Sequence, residues 1–230
     1  MTSRKTQAHR AGIVYVMLSA LGFPVLIYAP SFIVAGDAAA TAHKIASGVQ
    51  LYRLILLSDL AAAIFFLVLG WMLYHLFEAV DRKLALLMIL LVLASACVSV
   101  IDVALLGSPL VFLSDATFAS AFAQPQLDAL ALAFLKVRGL ELQANVAFWG
   151  LWLIPFGMLV IKSNFIPKLI GILLFVASVG YVAMSVAFFV FPAQRHDVGQ
   201  VGMLLTLGEL PVILWLLIMG ARENGLEKQA

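Results

Sequence analysis

Six apolar runs decide what this chain can fold into. They cover about residues 11–34, 51–75, 84–106, 140–161, 165–191 and 199–220. Each is close to the roughly 20 residues a helix needs to cross a hydrocarbon core about 30 Å thick. In lipid every backbone N–H and C=O must be satisfied inside the protein, and runs of this length do so as helices. The expected fold is therefore all-α. It is an integral membrane bundle of six transmembrane helices, one domain over 1–230, with short extracytoplasmic or interfacial helices between spans. Composition agrees: 64% of residues are hydrophobic and 11% charged, with mean hydropathy +1.09. Soluble domains carry about 25% charged residues.

The same composition removes several function classes. Cys97 is the only cysteine, so no internal disulfide forms. No CxxC, HExxH or histidine pair at ligand spacing is present, and no metal site is expected. No glycine-rich phosphate loop follows a strand pattern. No basic run is long enough for nucleic acid. Neither a cofactor nor an oligomeric state is legible.

Local signals divide the chain further. The first run is longer than the 7–15 residues of a signal-peptide core and reads as a retained helix. Asp37 is placed to N-cap a short alanine-rich helix. Residues 107–124 read as an irregular connection. Pro125 suits the first turn of a helix. The helical pattern from there to about residue 161 exceeds the bilayer core, so 126–138 should project or lie in the interface, with Gly139 as a bend. Gly180, Ala183 and Ala187 offer a small-residue packing face in the fifth span. Pro211 frees the carbonyl of Leu207 and predicts a kink in the sixth.

Basic residues in the connections orient the spans. One side holds Arg4, Lys5, Arg10, Arg82, Lys83, Lys162, Lys168, Arg222 and Lys228, the other Lys44 and Arg195. The positive-inside rule then puts both termini in the cytoplasm. On this orientation Arg53, Asp59, Asp102, Arg138 and Glu141 lie in the outer half of the bilayer, and Glu209 near its middle. At helical spacing Arg138, Glu141, Asn145, Trp149 and Trp152 share one face of the fourth span, while Lys136, Gln143 and Gly150 share another.

A charge at the bilayer centre costs about 2.5–3.5 kcal/mol on insertion scales. Arg53, Lys136 and Arg138 nearly balance Asp59, Asp102, Glu141 and Glu209. This balance predicts one polar cluster between helices, open to the extracytoplasmic side. Plainer roles compete. Arg53 and Arg138 could snorkel, Asp102 could be solvated at a helix end, Ser95 and Ser99 could bond back to their own helix, and Trp149 and Trp152 could simply pack. Glu209 resists such a reading because of its depth. Thr206, one turn away, is its expected hydrogen-bond partner.

The segments LYRLILLSDL (51–60), LALLM (84–88), FWGLWLIP (148–155), GEL (208–210) and LWLLI (214–218), in this order, resemble the bacterial multi-pass membrane family named domain of unknown function 4386. The resemblance covers nearly the whole chain. It implies a bacterial inner-membrane protein and no particular activity.

Three functions are compatible with these features. The first is a module that binds a lipid or small amphiphile. Arg53 or Arg138 would meet an acidic headgroup, and Phe148, Trp149 and Trp152 an apolar body. The second is a proton-coupled transporter with Glu209 titrating, against which stands the lack of an inverted repeat. The third is an intramembrane enzyme using Asp59, Asp102, Glu141 or Glu209, against which stands the lack of a nucleophile–base pair. A structural accessory role remains beside them. The expected ligand-binding residues are Arg53, Asp59, Asp102, Arg138, Glu141, Asn145, Trp149, Trp152 and Glu209, with no catalytic set.

Overall fold

The computed structural model describes residues 3–221. Its elements are α1 (Arg4–Ser31), α2 (Ala38–Ser47), α3 (Val49–Phe77), α4 (Arg82–Ser114), α5 (Ala116–Ala121), α6 (Gln124–Leu151), α7 (Leu153–Ser163), α8 (Lys168–Val190), α9 (Arg195–Thr206), a 3-10 turn (Leu207–Glu209) and α10 (Leu210–Ile218). The described residues contain no strand. Six segments are long and apolar enough to cross a membrane: α1, α3, α4, α6 with α7, α8, and α9 with α10. Large apolar side chains such as Leu54, Leu57, Leu169 and Ile218 stand more than 60% exposed. Water would penalise so much contiguous apolar surface, and lipid does not. The protein is an all-α membrane protein with six spans.

Several connections differ from the sequence-based expectation. Helix α4 continues to Ser114 and α5 follows at once, so most of 107–124 is helical rather than irregular. Helix α6 runs straight through Gly139, and the break falls at Trp152. Glycine only permits a bend. Pro155 compels one, because its ring crowds the carbonyl of Leu151 and it lacks an N–H. Within 126–138, Leu127, Ala131, Leu132 and Leu135 are buried against the protein itself. Asp37 does cap α2, accepting from the amide of Ala40 at 2.8 Å.

Two prolines inside spans have their losses made good within a turn. Pro109 deprives the Leu105 carbonyl of its partner, and the Ser108 hydroxyl donates to that carbonyl at 2.7 Å. Pro211 likewise frees the Leu207 carbonyl. The chain tightens into a 3-10 turn there, and the Leu210 amide takes it up.

The chain forms two compact units. The first comprises Met1–Met17, Ile64–Ala96 and Gln143–Ala230, and the second Leu18–Ala63 and Cys97–Leu142. In the second unit Val25, Ala29, Phe32, Ile45, Tyr52, Ile55, Leu106 and Leu135 pack as one apolar cluster. In the first unit α8 is central, packed on α7 and α9. Helices in lipid gain little from apolar burial, so close backbone approach has to hold them. A Cβ on Gly180 would fall 2.7 Å from the Gly202 carbonyl oxygen, and one on Gly202 3.0 Å from that of Gly180. Only the missing side chains let these two helices touch. Gly180 and Ala187 are buried as the small-residue pattern requires.

Outside the spans, the carboxyl of Asp81 accepts from the ammonium of Lys162 at 2.7 Å and from the amides of Lys83 and Leu84. These donors hold it below the usual carboxylate range.

Candidate functional site

The second unit gathers four of the expected residues from three helices. Arg138 on α6 donates to Asp102 on α4, from Nε at 3.0 Å and Nη2 at 2.8 Å, both to Oδ2. The two side chains are only 6% and 5% exposed. Neither snorkels, because each finds its countercharge at the same depth. Asp59 on α3 and Glu141, one turn beyond Arg138, come within hydrogen-bonding reach of Asp102. Tyr52 lies beside this group, its hydroxyl donating to the Leu106 carbonyl at 2.5 Å. Arg53 does not join. Its side chain is exposed, as is that of Lys136.

The first unit holds a different site. Glu209 sits at the 3-10 turn and accepts two phenol hydrogens, from Tyr15 on α1 to Oε1 and from Tyr181 on α8 to Oε2, the latter at 3.0 Å. The expected partner Thr206 bonds instead to the Met203 carbonyl of its own helix, at 2.7 Å. A threonine at that position reaches its own preceding carbonyl more readily than a carboxylate further along the turn. The single cluster expected from charge balance is therefore corrected: the partners of Glu209 are phenols, not Arg53, Lys136 or Arg138.

Aromatic rings enclose this carboxylate. Trp152 is 2% exposed and packs on Tyr15, Phe66 and Phe156 at centroid distances of 6.1, 5.4 and 5.3 Å. Trp149 meets Tyr181 edge to face at 6.2 Å. Both tryptophans thus act as packing around a polar contact. Asn145 is buried and accepts from the Ser95 hydroxyl at 2.7 Å, so Ser95 reaches across to α6.

The first unit also carries an open groove of about 840 Å³, lined by Gln143, Met184, Phe188, Arg195, His196, Gly199, Gln200, Met203 and Leu204. Arg195, His196, Gln200 and Gln143 supply polar groups, while Met184, Phe188, Met203 and Leu204 supply an apolar wall. Arg195 forms no ion pair among the described residues. The described residues include no group of His, Cys, Asp or Glu able to hold a metal ion.

A family model described as Domain of unknown function (DUF4386) matches residues 10–220. The chain belongs to this family. An uncharacterized protein of Archaeoglobus fulgidus is 34% identical over 83 residues, which are 35% of this chain and 47% of that protein. The match therefore spans about half of that relative's length. No solved structure matches the chain.

For this DUF4386 member, the residues that sequence reasoning missed are Tyr15, Tyr181 and the groove. The tyrosines carried a signal, since a phenol inside an apolar run must find an acceptor when buried. The groove carried none, because Arg195 and His196 stand where a connection was expected to expose basic side chains anyway.

Proposed function

We propose that this protein holds an acidic lipid or similar amphiphile, and that it does so in the groove between α6, α8 and α9. The observation that carries the reading is the lining: an unpaired guanidinium with imidazole and amide groups beside a wall of methionine, phenylalanine and leucine. A headgroup with negative charge fits the first set and an acyl chain the second. The volume lies within the roughly 300–1,000 Å³ usual for ligand pockets. The guanidinium of Arg138 is already engaged by Asp102, and Trp152 is closed off, so the binding role moves from those residues to Arg195 and its neighbours.

The test is native mass spectrometry of the protein purified in mild detergent and offered phosphatidylglycerol or phosphatidylcholine. Wild type should retain phosphatidylglycerol preferentially. Arg195→Ala should weaken that retention roughly 10-fold or more, as expected for losing a charged hydrogen bond of about 1.5–3 kcal/mol. Equal retention of both lipids, or equal retention by the variant, would reject the reading.

The proposed setting is a bacterial inner membrane with both termini in the cytoplasm. Basic-residue asymmetry supports it, although Arg222 and Lys228 lie outside the described residues. On this orientation the first turn of α9, with Arg195 and His196, stands at the outer surface. In a Cys97→Ser background, needed because Cys97 is exposed, cysteines at Ser114 and Gln194 should react with an impermeant reagent in intact cells. One at Lys83 should not. Ser163, the other cytoplasmic choice, is buried and unsuitable. External labelling at Lys83 would reverse the orientation.

A further inference from the structure

Asp102 is the hub of the buried group in the second unit, and its two oxygens are used differently. Oδ2 takes both donors of Arg138. Oδ1 is shut off from solvent and receives no N–H or O–H from the described residues. The same holds for Asp59 Oδ2 and for both carboxyl oxygens of Glu141. Yet Asp59 and Glu141 each lie in hydrogen-bonding contact with Asp102.

A carboxylate has lone pairs and no hydrogen to give. Two carboxyl groups therefore hydrogen-bond only when a proton lies between them. No neighbour substitutes for that proton. Tyr52 on α3 spends its hydroxyl on Leu106, and Arg138 on α6 spends its contacts on Oδ2. Charge points the same way. Three ionised carboxyls and one guanidinium leave two net negative charges in an apolar setting. One proton in each contact leaves none. As whole residues, Asp59 and Glu141 are less buried than Asp102 and Arg138, while Asp59 Oδ2 and both carboxyl oxygens of Glu141 are closed off like Asp102 Oδ1.

We propose that Asp59 and Glu141 are exchangeable proton carriers, each hydrogen-bonded to an Asp102 whose charge Arg138 balances, so that the four residues form a membrane-embedded proton-binding site. Each step is a carboxylate taking one proton from water to become a carboxylic acid, and giving it back. The site is independent of the groove.

Infrared spectroscopy of the protein in lipid nanodiscs tests this. At neutral pH the wild type should show carboxylic-acid C=O bands that shift in D2O. Asp59→Asn should remove one component, Glu141→Gln another, and the double variant both, leaving at most a band from Glu209. Bands unchanged in the double variant overturn the proposal. Should a variant fail to fold, wild type carrying aspartate labelled with carbon-13 at its carboxyl decides alone. A protonated aspartate band at neutral pH supports the site, and only ionised aspartate bands refute it.

Discussion

Arg138→Ala should cost this protein about 3–5 kcal/mol, the usual penalty for removing one partner of a buried ion pair. The reason is what stays behind. Asp102 would keep its carboxylate at 5% exposure with neither of its guanidinium donors. Asp59 and Glu141 would then face it without a countercharge. Thermal melting in detergent should show the loss. Adding Asp102→Asn to Arg138→Ala should recover a large part of it, because the stranded charge is then gone. Arg53→Ala is the control: that side chain is exposed, so its removal should leave melting near wild type. Arg138→Ala melting at the wild-type temperature would mean the pair contributes nothing.

Glu209→Leu should be the next most damaging change. It deprives two phenol hydroxyls, on Tyr15 and Tyr181, of their acceptor. An unsatisfied buried polar group costs about 1–3 kcal/mol, so the pair together costs roughly 2–6 kcal/mol. Glu209→Gln keeps a carbonyl oxygen for one phenol and should lose only about 1 kcal/mol. Tyr15→Phe or Tyr181→Phe in the Glu209→Leu background should restore stability, because each deletes a stranded hydroxyl. The same melting measurement reads all four. A Glu209→Leu protein as stable as wild type would show that the phenols find other partners at no cost.

The parts of this architecture legible in the sequence are those governed by cost along one helix. A charge in lipid demands a partner, so Asp59, Asp102, Arg138 and Glu141 are legible as members of a polar cluster, but only within a larger group that also takes in Arg53, Lys136 and Glu209. Run length similarly announced six spans. What the sequence withheld depends on how helices face one another. Nothing in the spacing of Tyr15, Tyr181 and Glu209 says that three helices turn those groups to a common point. Thr206 was the local choice, and its own helix claimed it. The bend in the fourth span was misplaced to Gly139 because a glycine allows what Pro155 imposes. Arg53 counted in the charge balance of the expected cluster, yet its side chain is exposed.

The proline repairs bear on how the protein is made. A backbone carbonyl left open inside lipid costs several kcal/mol. Ser108 and Leu210, which satisfy the carbonyls of Leu105 and Leu207, each lie within one turn of the carbonyl they serve. These two carbonyls are therefore satisfied whether or not any other helix has arrived, whereas the Leu21 carbonyl of α1 accepts from Ser58 on α3 and waits for that span. The contacts of Asp102 with Arg138 and of Glu209 with Tyr15 have no such autonomy, since their halves are delivered by separate spans. Biogenesis is thereby ordered: the backbone at Pro109 and Pro211 is settled at insertion within its own helix, and the ionic and phenolic contacts close only once the later spans have been delivered.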